Sequence, residues 1–572
     1  MRKTLIKTIV LALVAIQGVK AQSIREGMNH LYADRFQSAT ATFQKLLAVN
    51  PNDIEAIYWL GQTYLDMDDN DAARQLYDNA LVANANAPLL LVGKGHVQLL
   101  DNKLSEARQT FDTALSRSRG KKGDDPVIQN AIAIANIDSK KGDYKYAIEL
   151  LEAAVLKDPK NADYFLNLGN AYRKSTPGEA GDAYKNYKKA LEINPNFAYA
   201  YLRLAKIFET QQNWDLVLQN LNDAIAKDPG FSLAYYELFY YYWFKKEDYD
   251  QAEVILNKFI ASRPNENHVE DDYLYSQLCF GRKNYDCSIE KAESVARSMG
   301  AKIKPRVYRQ LAYSYFGKGD YANALKNSNE FLKKTKENLD PKDYQLRADI
   351  LSAMGAGEDE IFNVFVEGAA LDTVMKTKIE FLNKGVDFFK AKGNKCKEAS
   401  MRMIVYKTRT NPNPTDLFFI GLPMYQCGDL VRADSIFKAY SSALPDSIYG
   451  YFWGARVNSA RDTTMQNGLA VPNYEKTLEI ASKDMSRFSS FGIEAAGYLA
   501  GYYNNIKSNV DTAINFILKG LSFDSTNANL KRTMEILERI QLQNKTPKKK
   551  NSSSSKPTRK SKPLVKSAAV KS

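Results

Sequence analysis

The chain has 572 residues, 44% of them hydrophobic, and carries 79 Lys and Arg against 66 Asp and Glu for a formal charge of +13. That charge sits at the ends: residues 1–21 hold four bases (Arg2, Lys3, Lys7, Lys20), residues 544–572 hold ten, and neither segment has an acid, so +13 less these fourteen leaves the body at −1. A near-neutral body excludes a nucleic-acid groove, which needs a basic stripe along the fold. After residue 21 no run approaches the ~20 apolar residues of a membrane-spanning helix.

In chain order the first element is a leader. Arg2, Lys3 and Lys7 precede an apolar run from Ile9 to Ile16, and Val19-Lys20-Ala21 puts small residues where a signal peptidase inspects the chain. This predicts a signal peptide over 1–21 and an exported protein, with the periplasm as its compartment and an association with the envelope. No cysteine follows the run, so a lipoprotein anchor is not expected.

Beyond it a small residue recurs at roughly 34 to 40 residue intervals: Ala39, Ala73, Ala107, Ala147, Ala183, Ala252, Ser288 and Ala324, then Ala399, Ala433 and Ala513. A small side chain at that period marks one helical hairpin, copied and stacked, because little else fits where two helices cross closely. A bulky residue follows four positions later (Phe43, Tyr77, Phe111, Leu151, Tyr187, Leu256), and prolines such as Pro51, Pro159, Pro195 and Pro264 stop the second helix. Gly61 with Tyr64 before Ala73 completes the pattern. It resembles the tetratricopeptide repeat, a two-helix unit of about 34 residues.

The resemblance implies an all-α, right-handed superhelical solenoid of about 12–14 stacked hairpins with an irregular middle. Hairpins are expected near 24–51, 54–85, 88–118, 126–159, 162–195, 197–229, 231–264, 268–300 and 304–336, which gives an N-terminal array over 22–337. Gly-Asp pairs (Gly142-Asp143, Gly319-Asp320, Gly428-Asp429) mark turns between helices. Asp340-Pro341 with Gly355 and Gly357 makes 338–375 the expected seam or hinge. A second array is expected over 376–526, with Pro423 kinking or breaking one of its helices, then a capping helix at 527–543. The Lys-, Ser- and Pro-rich tail, 544–572, lacks aromatics and is expected to be disordered. Its charge predicts weak, salt-sensitive contact with polyanions or a membrane surface, without a specific nucleic acid.

Chemistry is sparse. His30, His96 and His268 fall in three different units, and there is no Gly-rich phosphate loop, serine elbow or HExxH pair. The expectation is a non-enzyme without metal or cofactor. Cys279, Cys287, Cys396 and Cys427 permit disulfides in an exported chain. The local pairings 279–287 and 396–427 are preferred, with buried free thiols as the alternative.

In the resembled family the first helix of each hairpin lines a concave groove. Carried onto this chain, with one extra residue in the inner turn of the hairpin that begins near 231, that register places Tyr236, Tyr240, Trp243, Tyr273, Phe280, Arg306, Arg309, Tyr313 and Phe316 on one groove wall. Tyr and Trp beside Arg is the composition of interface hot spots, so the expected partner is a protein or extended peptide. Upstream, Asn170, Arg173, Arg203 and Lys206 form a basic patch suited to an acidic segment. Phe418, Tyr425, Tyr451, Tyr498 and Tyr502 suggest a second aromatic lining. The expected function is an exported scaffold, within an envelope assembly or secretion complex. The alternative is a glycan-binding protein that uses the groove aromatics as sugar platforms. The Lys-, Asn- and Tyr-rich composition and a processed end at Gln22 resemble exported repeat proteins of the Bacteroidota.

Overall fold

The computed structural model describes residues 23–175, 180–335 and 339–545. The expected leader, and the tail beyond Lys545, lie outside the described residues. What is described is helical throughout, apart from one isolated bridge between Gly120 and Gly123.

The small-residue beat is the core of the stack. All eleven of its positions, from Ala39 to Ala513 and including Ser288, are buried with no measurable exposure. The bulky residue one turn later fills the gap between first helices. Tyr77 is fully buried, and a β-carbon added at Gly61 or Gly93 would lie 2.2 or 2.4 Å from its ring. Phe111 stands over Gly95, Tyr187 over Gly169 and Phe437 over Gly421 in the same way. At these positions the first-helix glycine is therefore the seat of an aromatic ring, whose space a side chain there would occupy.

The turn inside most hairpins follows one pattern. One residue takes the left-handed conformation, and an Asp or Asn follows whose side chain accepts a backbone N–H of the next helix. Gly319 and Gly428, both at φ +86°, serve this way ahead of Asp320 and Asp429. Asp68, Gln212, Glu247, Lys283 and Ser508 take the same conformation without being glycine, so the Gly-Asp signal is intermittent along the chain. Gly142 is different: it is required by close approach, since a β-carbon there would lie 1.9 Å from the Asn136 carbonyl oxygen.

The chain divides into two compact units, one up to Lys318 and one from Gly319. In the first, helices pair as Ile54–Asp66 with Asn70–Ala83, Pro88–Leu100 with Leu104–Ser118, Pro126–Asp138 with Tyr144–Lys157, and Ala162–Ser175 with Ala180–Ile193. Ala198–Thr210 with Trp214–Lys227, Ser232–Tyr240 with Tyr249–Ala261, and Asp271–Gly281 with Tyr285–Met299 follow, before Pro305–Lys318 ends the unit. A first hairpin, 23–32 with Phe36–Val49, precedes them.

That first hairpin closes the unit on itself. Arg25 pairs with Asp163 at 2.7 Å, and the Tyr32 and Tyr199 rings stack at 5.0 Å. Ser232 Oγ donates to the Ala33 carbonyl. Glu266, 9% exposed, accepts the backbone N–H groups of Gln37 and Ser38 at 2.8 and 3.0 Å and the Ser38 hydroxyl at 2.7 Å. The helix Phe36–Val49 has no side-chain cap of its own, so a carboxylate distant in sequence satisfies its first turn.

In the second unit Tyr321–Lys334 is followed by Pro341–Ala353 with Glu358–Leu371, Met375–Ala391 with Lys395–Thr408, and Asp416–Gln426 with Leu430–Ala443. Ile448–Arg461 with Val471–Ala481 and Ser489–Asn505 with Val510–Phe523 complete the pairs, and Ala528–Lys545 packs Leu530 and Leu537 at the end. The division falls at Lys318/Gly319, ahead of the seam expected at 338–375, and those residues make a regular pair. Asp340 and Asp343 form a capping box around Pro341, which starts a helix here, and Gly355 and Gly357 flank the turn into the next one. Pro423 does not break its helix, which runs from Asp416 to Gln426. The loop between Arg461 and Val471 is ordered around buried Asp462, which accepts from Asn467 N at 3.0 Å and Leu469 N at 3.3 Å.

Candidate functional site

The register that defines the groove brings the predicted aromatic residues together on three successive first helices of the first unit. The Tyr236 and Tyr240 rings meet at 4.9 Å, edge to face, and Trp243 lies 6.0 Å from Tyr240. Both reach the next helix: Tyr240 Oη donates to Gln277 Oε1 at 2.8 Å, and Trp243 Nε1 donates to the Gln277 carbonyl at 2.9 Å. Phe280 contacts Tyr313 at 6.3 Å on the helix after that. Arg306 lies 4.7 Å above the Tyr273 ring and is held by Glu270. Tyr236, Tyr240, Trp243, Phe280, Arg306, Arg309, Tyr313 and Phe316 are all half-buried, so the belt joins the packing beneath it while keeping an accessible edge.

Tyr273 is the exception. It is 9% exposed and belongs to the core, because Arg306 covers the face that the register turned outward. Burial pushes its hydroxyl up to about 12, with Tyr236 adding to the rise and Arg309 opposing it.

The extra residue expected in this hairpin's inner turn has a structural counterpart. Residues Tyr241–Lys246 form a π-helical segment that ends on Glu247 in the left-handed region. Widening the helix absorbs one residue and re-aims the side chains that follow. Phe244 is left 74% exposed, stacked on Trp243 at 6.3 Å. Nothing in the hydrophobic pattern marks Phe244 as accessible, since the run from Tyr235 to Phe244 is apolar nearly all round.

The basic patch is redistributed. Asn170, Arg173 and Arg203 line a cavity of about 640 Å³ in the first unit, with Asn167, Gln62, Trp59, Tyr199 and Lys174. Lys206 is not among its lining residues and is paired with Glu209 at 2.9 Å and Glu237 at 2.6 Å. The cavity wall also carries Asp34, Asp66 and Asp138. It is thus charge-balanced, not the basic surface an acidic segment would require. The aspartates come from the turns of the first, second and fourth hairpins, which the stacking of the unit brings to one cavity.

Among the described residues no group of three His, Cys, Asp or Glu can hold a metal ion. His96 is buried against Gln62 Oε1 at 2.9 Å, and burial lowers it to about 4. His268 contacts Asp271 at 2.6 Å, and burial, with Arg35 adding, lowers His30. Cys279 is joined to Cys287 and Cys396 to Cys427, with Cα separations of 5.8 and 5.5 Å. In the second unit Phe418 and Tyr425 pack on Trp453, while Tyr498 and Tyr502 are buried in the core.

Stacked hairpins with buried small residues and aromatic rings seated on first-helix glycines such as Gly61, Gly95, Gly169 and Gly421 define a helical-repeat scaffold. Tetratricopeptide-repeat profiles match residues 30–91 and 132–195, so the chain carries repeats of that family. The epsilon subunit of coatomer from Dictyostelium discoideum is 27% identical over 168 residues, 29% of this chain and 54% of that protein, so the chain spans about half the length of this relative. The crystallised C-terminal part of a tetratricopeptide-repeat protein from Cytophaga hutchinsonii is 25% identical, with 46% of this chain and 98% of that one covered and a TM-score of 0.26. A tetratricopeptide-repeat protein from Parabacteroides merdae is 21% identical, over 45% of this chain and 97% of that one, with a TM-score of 0.37. Repeats of this family generally mediate protein–protein interaction.

Proposed function

We propose that this chain is a non-catalytic exported scaffold that holds an extended segment of a partner protein across the belt Tyr236–Tyr240–Trp243–Phe280–Tyr313–Phe316, within an envelope assembly or secretion complex. The observation that carries this reading is the run of half-buried rings over three first helices, Tyr236, Tyr240 and Trp243 in mutual contact and tied to the next helix through Gln277, and Phe280 against Tyr313. Pre-ordered aromatics with one free edge lose little entropy on binding. The basic-apolar leader and the two disulfides support export. The ring faces that a sugar platform would need are largely spent on neighbouring rings, Gln277 and Arg306, which favours a peptide over a glycan. The Lys-rich tail adds weak attachment to an anionic surface.

The test is site-specific photo-crosslinking in envelope extract, with the crosslinking residue at position 236 or 316. Positions 82 and 156, exposed on second helices at 86% and 82%, are the controls. The expected result is one protein captured from both belt positions and from neither control. Capture that is equal at all four positions, or absent from the belt, overturns the reading.

A further inference from the structure

First helices of the first five hairpins, with the turn at Asn50 to Asp53, enclose another cavity in the first unit. Its volume of about 610 Å³ is in the range of small-molecule sites, roughly 300–1,000 Å³. It is distinct from the belt and from the charge-balanced cavity, although Trp59 lines both cavities. Among the described residues no Lys, Arg or His lines it, so a phosphate or carboxylate would enter without a counter-charge. Its own acids are engaged elsewhere. Asp53 accepts from the Ala56 N–H at 3.3 Å, Asp163 is paired with Arg25 at 2.7 Å, and Glu55 is exposed to solvent. What the cavity offers a ligand is therefore neutral.

Two buried hydroxyls in its wall have nothing to bond. Tyr58 is 1% exposed and its Oη has no partner. Tyr164 is 5% exposed, and its hydroxyl meets no hydrogen-bonding group among the described residues. A buried tyrosine normally finds a partner for its O–H, and both of these line the cavity. Amides stand in the same wall. Asn130 gives its Oδ1 to Asn167 and Asn161 gives its Oδ1 to the Asp163 N–H, which leaves the NH₂ of each to donate. Met28, Leu89, Val127 and Ile134 supply the apolar part of the lining. Asp163, bonded to both Arg25 and Tyr32, ties the first hairpin to the fifth. The cavity is walled on that side and suits a ligand of limited length.

We propose that this cavity binds a neutral saccharide, its hydroxyls bonded to Tyr58, Tyr164, Asn130 and Asn161 and its C–H faces set against the apolar residues. A sugar hydroxyl donates and accepts at once, as a tyrosine hydroxyl does, so one polyol satisfies both the orphan hydroxyls and the free amide donors. Being uncharged, it needs no counter-ion from a wall that has none to give. The proposal is independent of the reading given to the belt.

The experiment is calorimetry on the full chain. Maltose, cellobiose, lactose and diacetylchitobiose are the neutral probes, glucuronic and galacturonic acid the charged ones, and the blocked peptide acetyl-Ala-Asn-Ala-amide stands for a main-chain occupant. Saturable binding of at least one neutral disaccharide is expected, with none by the acids or the peptide. Tyr164→Phe and Tyr58→Phe are each expected to weaken that binding by roughly threefold to tenfold, as loss of one hydrogen bond does. Both should keep the wild-type melting temperature, because neither hydroxyl has a protein partner to lose. Tyr184→Phe, at an exposed position on a second helix, is expected to bind as wild type. Binding of none of the neutral sugars, binding of the peptide in their place, equal binding of the acids, or indifference to both tyrosine substitutions overturns the proposal. A lowered melting temperature in both variants overturns it as well, since the hydroxyls would then serve the fold.

Discussion

Asp138 shows how a single residue reports on the closed lumen. Burial pushes its carboxyl up to about 6, against the opposing pull of Lys174 and Arg203, and Asp34 is pushed up to about 6 for the same reason. In the unfolded chain both titrate near the ordinary value of 3.8. Between those values the folded state holds protons that the unfolded state has lost. Their contribution to stability is therefore complete below pH 3.8 and is lost as pH rises through about 6. Asp138→Asn cannot ionise, so its melting temperature is expected to gain on wild type across that window and to run parallel to it outside. Gly61 is the opposite kind of residue, defined by space. A β-carbon there would lie 2.2 Å from the Tyr77 ring, and Tyr77 is itself held by the Tyr58 carbonyl at 2.8 Å and by Gln62 at 2.8 Å. Gly61→Ala is expected to cost about 1–3 kcal/mol in urea denaturation.

At the scale of elements, the helix Phe36–Val49 depends on a residue far from it. Its first-turn amides of Gln37 and Ser38 end on the Glu266 carboxylate. A carboxylate at a helix N-terminus satisfies orphan N–H groups and opposes the dipole. Glu266→Ala is expected to cost about 1–2 kcal/mol, as loss of a cap does. The same variant should accelerate amide exchange at Gln37 and Ser38 while leaving Ala72, capped locally by Asp69, unchanged. Equal acceleration at Ala72 would mean that the effect is global. The π-helical segment Tyr241–Lys246 is the other element with a distinct consequence. Deleting its extra residue would restore a regular helix and rotate Trp243 away from Gln277, at the cost of the belt's continuity.

For the whole molecule, the two disulfides differ in what they constrain. Cys279–Cys287 closes a sequence separation of 8, whereas Cys396–Cys427 closes one of 31. Loop-closure entropy grows with length, and disulfides typically contribute about 2–4 kcal/mol. Replacing Cys396 and Cys427 by Ser is therefore expected to lower stability more than replacing Cys279 and Cys287, measured by urea unfolding of each double variant.

The beat of small residues and the bulky residue one turn later were sufficient to read the hairpins, since each depends on contacts within one unit or with its neighbour. Ala39 through Ala513 are buried because local helix crossing leaves no room. The same local rule aligned the belt, where Tyr240 and Trp243 meet Gln277 one repeat away. What the sequence could not determine lies at long range. Glu266 against Ser38, Arg25 against Asp163, and Ser232 against Ala33 join hairpins several repeats apart. Only closure of the superhelix decides those meetings, because small rotations accumulate from hairpin to hairpin and no single repeat encodes their sum.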